Sequence, residues 1–216
     1  MLSHKSNSLL YITRTGFSFF SKDFQNGLVL NVSDEIIKDL EIISKVKLRE
    51  QIELFLTQNK IQPTKAVVVL SDDILFSKFV TVDLVQQEKE IRDFLDEVPF
   101  DYEDLVCKLK KDSEKVSVVA TNSDLYLTIK NILESKDWCI EMVVPDVGEI
   151  PNSTNWQDIL TKALGLKQCN FLTNKKNNGD FLNSASTGSH HGRFLAIGAV
   201  IFLLAIAMLF LVVYFK

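Results

Sequence analysis

Cysteine is nearly absent from this chain. Cys107, Cys139 and Cys169 stand far apart, an odd number without C-x-x-C spacing. That excludes a disulfide frame and a zinc knuckle, and fits reduced thiols in a cytoplasmic protein. Histidine is as rare: His4, His190 and His191 lie in polar end segments, where metal ligation lacks partners. No cysteine has a histidine beside it and no serine sits in a hydrolase motif, so nothing signals a nucleophile. The eight glycines are scattered, with no P-loop and no GxGxxG to cradle phosphate. Positive charge is not in excess either. Ahead of Lys216 the chain carries 28 Asp and Glu against 23 Lys and Arg, and no basic stripe interleaved with aromatics. Nucleic acid is therefore not an expected partner. No cofactor and no metal site is expected.

What the chain does have is one long apolar run. Phe194 to Phe215, twenty-two residues, contains no charge. At about 1.5 Å per residue a helix of this length covers roughly 33 Å, enough to cross a hydrocarbon core of roughly 30 Å. A buried core helix of that length would keep a polar face, and this run has none. Lys175, Lys176 and Arg193 precede it and only Lys216 follows, so the positive-inside bias places the rest of the chain in the cytoplasm. The first seventeen residues have neither the apolar core nor the cleavage site of a signal peptide. The expected organisation is a cytoplasmic domain over 1–172, a flexible Asn-, Ser- and Gly-rich linker over 173–193, and a single transmembrane helix over 194–215 in the plasma (inner) membrane.

Within the domain, short apolar runs at Ser8–Arg14, Phe17–Phe20 and Leu28–Val32 predict an antiparallel meander, with Asn26-Gly27 as a turn signal. Ser33-Asp34-Glu35 looks like a helix start, but Ile36–Ile43 fits a short helix or an extended excursion equally. Leu48, Ile52, Phe55 and Leu56 form a helical stripe that ends before Pro63. Ala66–Leu70 is all apolar, as in a strand covered on both faces. Asp72-Asp73 is a turn, with a cation site as its alternative, and Leu75–Val82 is a strand. Ile91, Phe94, Leu95 and Val98 mark a second helix closed by Pro99. Strands follow at Leu105–Leu109 and Val116–Ala120. Asn122 or Ser123 caps a helix with stripe Leu125, Ile129, Ile132 and Leu133. Cys139–Val144 is the last strand, and Asn155–Leu164 a short helix. The class is α/β, mixed α+β within one core.

In their order these features resemble the PilM family, actin-like cytoplasmic proteins of type IV pilus assembly. More distantly they resemble the cytoplasmic part of GspL, the type II secretion counterpart. The likeness lies in Ile37-Lys38-Asp39-Leu40-Glu41, in Lys65 to Ser71, in Glu97-Val98-Pro99-Phe100, in Tyr102 to Lys110, in the V-x-V-V-A strand and in Val143 to Asp146. Ala163-Leu164-Gly165-Leu166 is similar to the end of the family's last helix. Asn170-Phe171-Leu172 is similar to the Asn-Leu-Leu that precedes the span in PilN and in GspL.

The resemblance implies a truncated actin-like domain with an inserted interaction subdomain at 63–144, beside which a membrane protein docks an extended segment. The turn at Glu97, Phe100, Asp101, Tyr102, Glu103 and Asp104 is its candidate partner-binding rim. With Asp96 it forms an acidic cluster, which reads first as a solvated loop and second as a dock for a basic partner segment. An actin-like ATPase needs an Asp two residues before a Gly in its first phosphate loop. Here Arg14 stands in that place ahead of Gly16, and an arginine cannot ligate a cation. The half of the fold that completes a nucleotide site has no counterpart between Pro145 and Asn155. The expected protein is a non-enzymatic scaffold of a pilus or secretion platform in the inner membrane. The alternatives are a signalling adaptor unrelated to pili and an ATPase completed by a second chain.

Overall fold

A computed structural model of the chain describes residues 8–81, 83–101, 103–111, 116–146 and 155–173. All of them fall in one compact unit, Met1–Asn174. The expected linker beyond Thr173 and the expected span at 194–215 lie outside the described residues, as does Tyr102. Among the described residues no helix is long and apolar enough to cross a membrane.

The chain opens with the meander β1 (Ser8–Thr13), β2 (Gly16–Ser21) and β3 (Leu28–Asn31). Two-residue strands β4 (Ile37–Lys38) and β5 (Glu41–Ile42) precede helix α1 (Lys45–Gln58). β6 (Lys65–Leu70) runs into a 3-10 turn at Asp72–Ile74, then β7 (Phe76–Val80) and α2 (Leu84–Glu97). β8 (Leu105–Lys111), β9 (Val116–Asn122), α3 (Ser123–Glu134), β10 (Cys139–Pro145) and α4 (Trp156–Gly165) follow, and a 3-10 turn at Lys167–Cys169 ends the series.

The main sheet has the order β10-β6-β1-β2-β3, with β1, β6 and β10 parallel and the meander antiparallel. β6 lies between β10 and β1, and its alternation explains the unbroken apolar run. Ala66, Val68 and Leu70 face the core under α1 and α3, while Val67 and Val69 face α4. Pro145 is tolerated because β10 is an edge strand. Ser44, Asn122 and Asn155 cap α1, α3 and α4 with side-chain oxygens.

The structure decides three details. Ser33 starts only a single turn, after which the chain makes a tight hairpin rather than a helix. Asp39 and Leu40 sit there at φ 50° and 68°. A bulky residue in that conformation is strained by about 1–2 kcal/mol. Leu40 is 2% exposed, and its carbonyl accepts from Asn122 Nδ2 at 3.2 Å. Burial and that bond offset the strain. Secondly, of the expected insert at 63–144 only Phe76–Asn122 forms a separate sheet, with order β7-β9-β8. β6, α3 and β10 belong to the main layers, because parallel strands need a crossover and α3 supplies it. Thirdly, residues Leu166–Thr173 are folded onto the domain. Phe171 N–H donates to the Val143 carbonyl at 2.8 Å, and Asn170 Oδ1 accepts from Val143 N–H and Leu172 N–H, each at 3.0 Å. Lys108 Nζ donates to the Thr173 carbonyl at 2.7 Å, tying the end of this segment to β8.

Candidate functional site

Two places gather side chains capable of recognition. The first is the carboxyl end of the parallel strands, where α/β sheets commonly bind ligands. β1 ends there in the turn holding Arg14, β6 in Ser71-Asp72-Asp73, and β10 in Pro145-Asp146. The backbone closes the place first: Ser71 N–H donates to Ile12 O at 2.8 Å and Asp146 N–H to Leu70 O at 2.7 Å. The side chains then engage one another. Tyr11 Oη donates to Asp146 Oδ2 at 2.7 Å, and Asp73 Oδ2 accepts from Arg14 N–H at 3.0 Å. Burial, then the hydrogen bond to Asp146 and the charges of Asp146, Asp72 and Asp73, push the Tyr11 hydroxyl well above its ordinary range. Tyr11 therefore stays a neutral donor and Asp146 its acceptor. Asp72 and Asp73 form the turn expected of them. Among the described residues no group of three or more His, Cys, Asp or Glu side chains is placed to hold a metal ion.

The second place is the turn between α2 and β8 on the inserted sheet. Val98 is buried under the helix and Pro99 is exposed beyond it, so the chain leaves α2 with its carboxylates pointing outward. Glu97, Asp101, Glu103 and Asp104 are all exposed, and Asp96 beside them as well. The turn is held by its backbone: Asp104 N–H donates to Asp101 O at 3.0 Å, and the Asp104 carbonyl accepts from Ser123 N–H at 2.6 Å. Phe100 is half-buried, its ring edge-to-face on Phe76 with centroids 5.5 Å apart. It packs against Phe76 of β7 and the core while part of its surface stays accessible. Four of the six rim residues read from the sequence are thus brought together on an open surface. Phe100 divides its surface between core and rim, and Tyr102 lies outside the described residues.

Sequence reasoning missed two features. One is the Tyr11–Asp146 pair, whose members are 135 positions apart. The other is a cavity of 880 Å³ at the opposite end of the sheet, lined among others by Phe19, Phe24, Pro63, Trp156 and Leu160. Both tryptophans are buried, Trp138 at 5% and Trp156 at 7% exposure. Cys107 and Cys169 are buried and Cys139 is exposed, and none of the three is in a disulfide.

No family model matches the chain, and no curated protein is significantly similar to it in sequence. Among solved structures it is similar to the cytoplasmic domain of EpsL, an inner-membrane component of the type II secretion system of Vibrio cholerae. The identity there is 19%, over 68% of this chain and 59% of that one, with a TM-score of 0.41. It is similar to the PilM–PilN type IV pilus biogenesis complex at 12% identity, over 66% of this chain and 46% of that one, with a TM-score of 0.43. A Bacteroides thetaiotaomicron protein with an actin-like ATPase fold and unknown function matches at 12% identity, over 60% and 49% of the two chains, with a TM-score of 0.34. The match spans only about half the length of these proteins.

Proposed function

We propose that this chain is a membrane-anchored, non-enzymatic scaffold of an inner-membrane assembly platform of the type IV pilus or type II secretion kind. In this reading it docks platform proteins at the cytoplasmic face. The observation that carries it is the insert: a separate three-stranded sheet between β6 and α3 whose α2–β8 turn holds Glu97, Asp101, Glu103 and Asp104 exposed around Phe100. The ordered sequence likeness to PilM gives that subdomain a docking role. The run Phe194–Phe215 is the anchor in the plasma membrane, single-pass, with the N-terminal domain cytoplasmic. Residues 173–193 are a tether with a reach of roughly 25 Å, which raises the domain's effective concentration near other platform proteins. At the strand ends Asp73 and Asp146 are engaged within the protein, which supports a role without nucleotide.

The rim separates two effects. The double change Asp101→Asn with Glu103→Gln lowers the association rate and flattens its salt dependence while leaving folding intact, because rim charges steer encounter. Phe100→Ala weakens capture too, but also costs about 2 kcal/mol of stability through the lost Phe76 contact. Pull-down of platform proteins from solubilised membranes, with circular dichroism on each variant, distinguishes them. Unchanged capture by the charge variant would remove the rim from the mechanism.

A further inference from the structure

The cavity of 880 Å³ beside α4 falls within the roughly 300–1,000 Å³ of clefts that bury a ligand, and its floor is apolar. Trp156, Leu160 and Leu164 stand at i, i+4 and i+8 on α4, one face of the helix, and all three line it. Phe24 and Ile61 close it from the β2–β3 loop and from the loop between α1 and β6. The Phe24 ring leans on Phe19 with centroids 6.0 Å apart. The rim mixes Lys22 and Lys60 with Asp23, so charge does not identify what covers the floor; connectivity does.

β1 is a central strand, paired with β2 on one side and with β6 on the other. Its first residue, Ser8, lies opposite Ser21 and Ala66, and the Ser8 Oγ donates to the Lys65 carbonyl at 3.1 Å. One step before that point both neighbours part. The chain after Ser21 turns away, with Phe24 N–H donating to Ser21 O at 3.2 Å, and β6 is preceded by Pro63 and Thr64. Ser21 and Lys22 on one side and Pro63 and Thr64 on the other are themselves cavity wall. The gap between them lies on the line of β1, so the backbone ahead of Ser8 is delivered to the cavity.

We propose that residues 1–7, which lie outside the described residues, fill this cavity as an intramolecular strap, with Leu2 seated on the floor formed by Trp156, Leu160 and Phe24. The sequence there is Met-Leu followed by Ser-His-Lys-Ser-Asn, apolar where it meets the floor and polar where it crosses the rim. The six steps from Ser8 back to Leu2 span at most about 20 Å when extended. The α4 face from Trp156 to Leu164 is about 12 Å long, so Leu2 reaches all of it. A separate peptide loses translational freedom on binding, whereas a segment joined this closely acts at an effective concentration of about millimolar. Seated there, the strap joins α4 to both loops.

The test uses the full chain with Cys139→Ser to remove the exposed thiol. Leu2→Cys is combined either with Thr161→Cys, on α4 at the cavity, or with Gln25→Cys, which is also exposed but lines no part of the cavity. Oxidation with copper phenanthroline should link position 2 to 161 within one chain at least tenfold more than to 25, since a disulfide needs Cα atoms within about 7 Å. In a second measurement Leu164→Cys, at the cavity wall, should react with a maleimide at least tenfold faster once Leu2→Asp is added, with circular dichroism unchanged. Equal linking at 161 and 25, no linking in folded protein, or a link between two chains overturns the proposal. So does a Leu164→Cys rate that Leu2→Asp leaves unchanged, since the cavity would then be open or held by another molecule.

Discussion

Asn170→Ala removes the side chain that fastens the end of the domain to its sheet edge, and its cost can be worked from the contacts. Asn170 is 8% exposed, and its Oδ1 accepts from the N–H groups of Val143 and Leu172, each at 3.0 Å. Val143 is fully buried, so its N–H gains no water when the amide leaves and carries a desolvation penalty of about 1–3 kcal/mol. Leu172 is only half-buried and its N–H rehydrates, so that bond costs about 0.5–1.5 kcal/mol. The bond from Phe171 N–H to the Val143 carbonyl survives. The expected loss is about 2–4 kcal/mol, or about 5–15 °C in Tm for a domain of this size. Urea unfolding of residues 1–174 followed by circular dichroism measures it, and Asn170→Asp, which keeps the oxygen that accepts both bonds, should cost less. A loss under about 0.5 kcal/mol for the alanine variant at unchanged m-value would refute the bond network and the fastening it implies.

Gly16 opens β2 at φ 151°, where an added Cβ would meet the Leu30 carbonyl oxygen at 1.9 Å. Gly16→Ala should therefore destabilise the meander by more than about 2 kcal/mol, read as a fall in the urea midpoint. Burial raises the Tyr126 hydroxyl from 10.0 to about 12. Its contribution to stability is then complete below pH 10 and lost as pH rises toward 12, since the unfolded state releases its proton first. Tyr126→Phe should flatten that part of the stability profile. Calorimetry of residues 1–174 with millimolar Mg-ATP should show no saturable heat, and a micromolar dissociation constant would contradict a nucleotide-free role.

The helices were legible in the sequence wherever one apolar stripe was repeated at helical spacing. Leu48, Ile52, Phe55 and Leu56 on α1, and Leu125, Ile129, Ile132 and Leu133 on α3, are all buried. The run Ala66–Leu70 announced a doubly covered strand for the same local reason. The β4–β5 hairpin was not legible, because Leu40 is not a residue that such a positive-φ turn prefers and is held there by tertiary burial. The docking of Asn170 was hidden behind a linear motif, since its partner Val143 lies 27 positions away on another element. At the rim, exposed carboxylates could be read from charge density. The sharing of Phe100 between rim and core could not, because it depends on Phe76 across the insert.

The central claim is that the insert's rim touches membrane-resident platform proteins in the cell. A photo-crosslinking amino acid placed at Asp101 or Glu103 of the full-length chain, expressed in its own host, tests this most directly. Illumination is predicted to join the chain to integral inner-membrane proteins of a pilus or secretion platform, with a matched position at the exposed Lys60 joining none of them. Crosslinks from the rim only to soluble proteins, or identical products from the rim and from position 60, would contradict it.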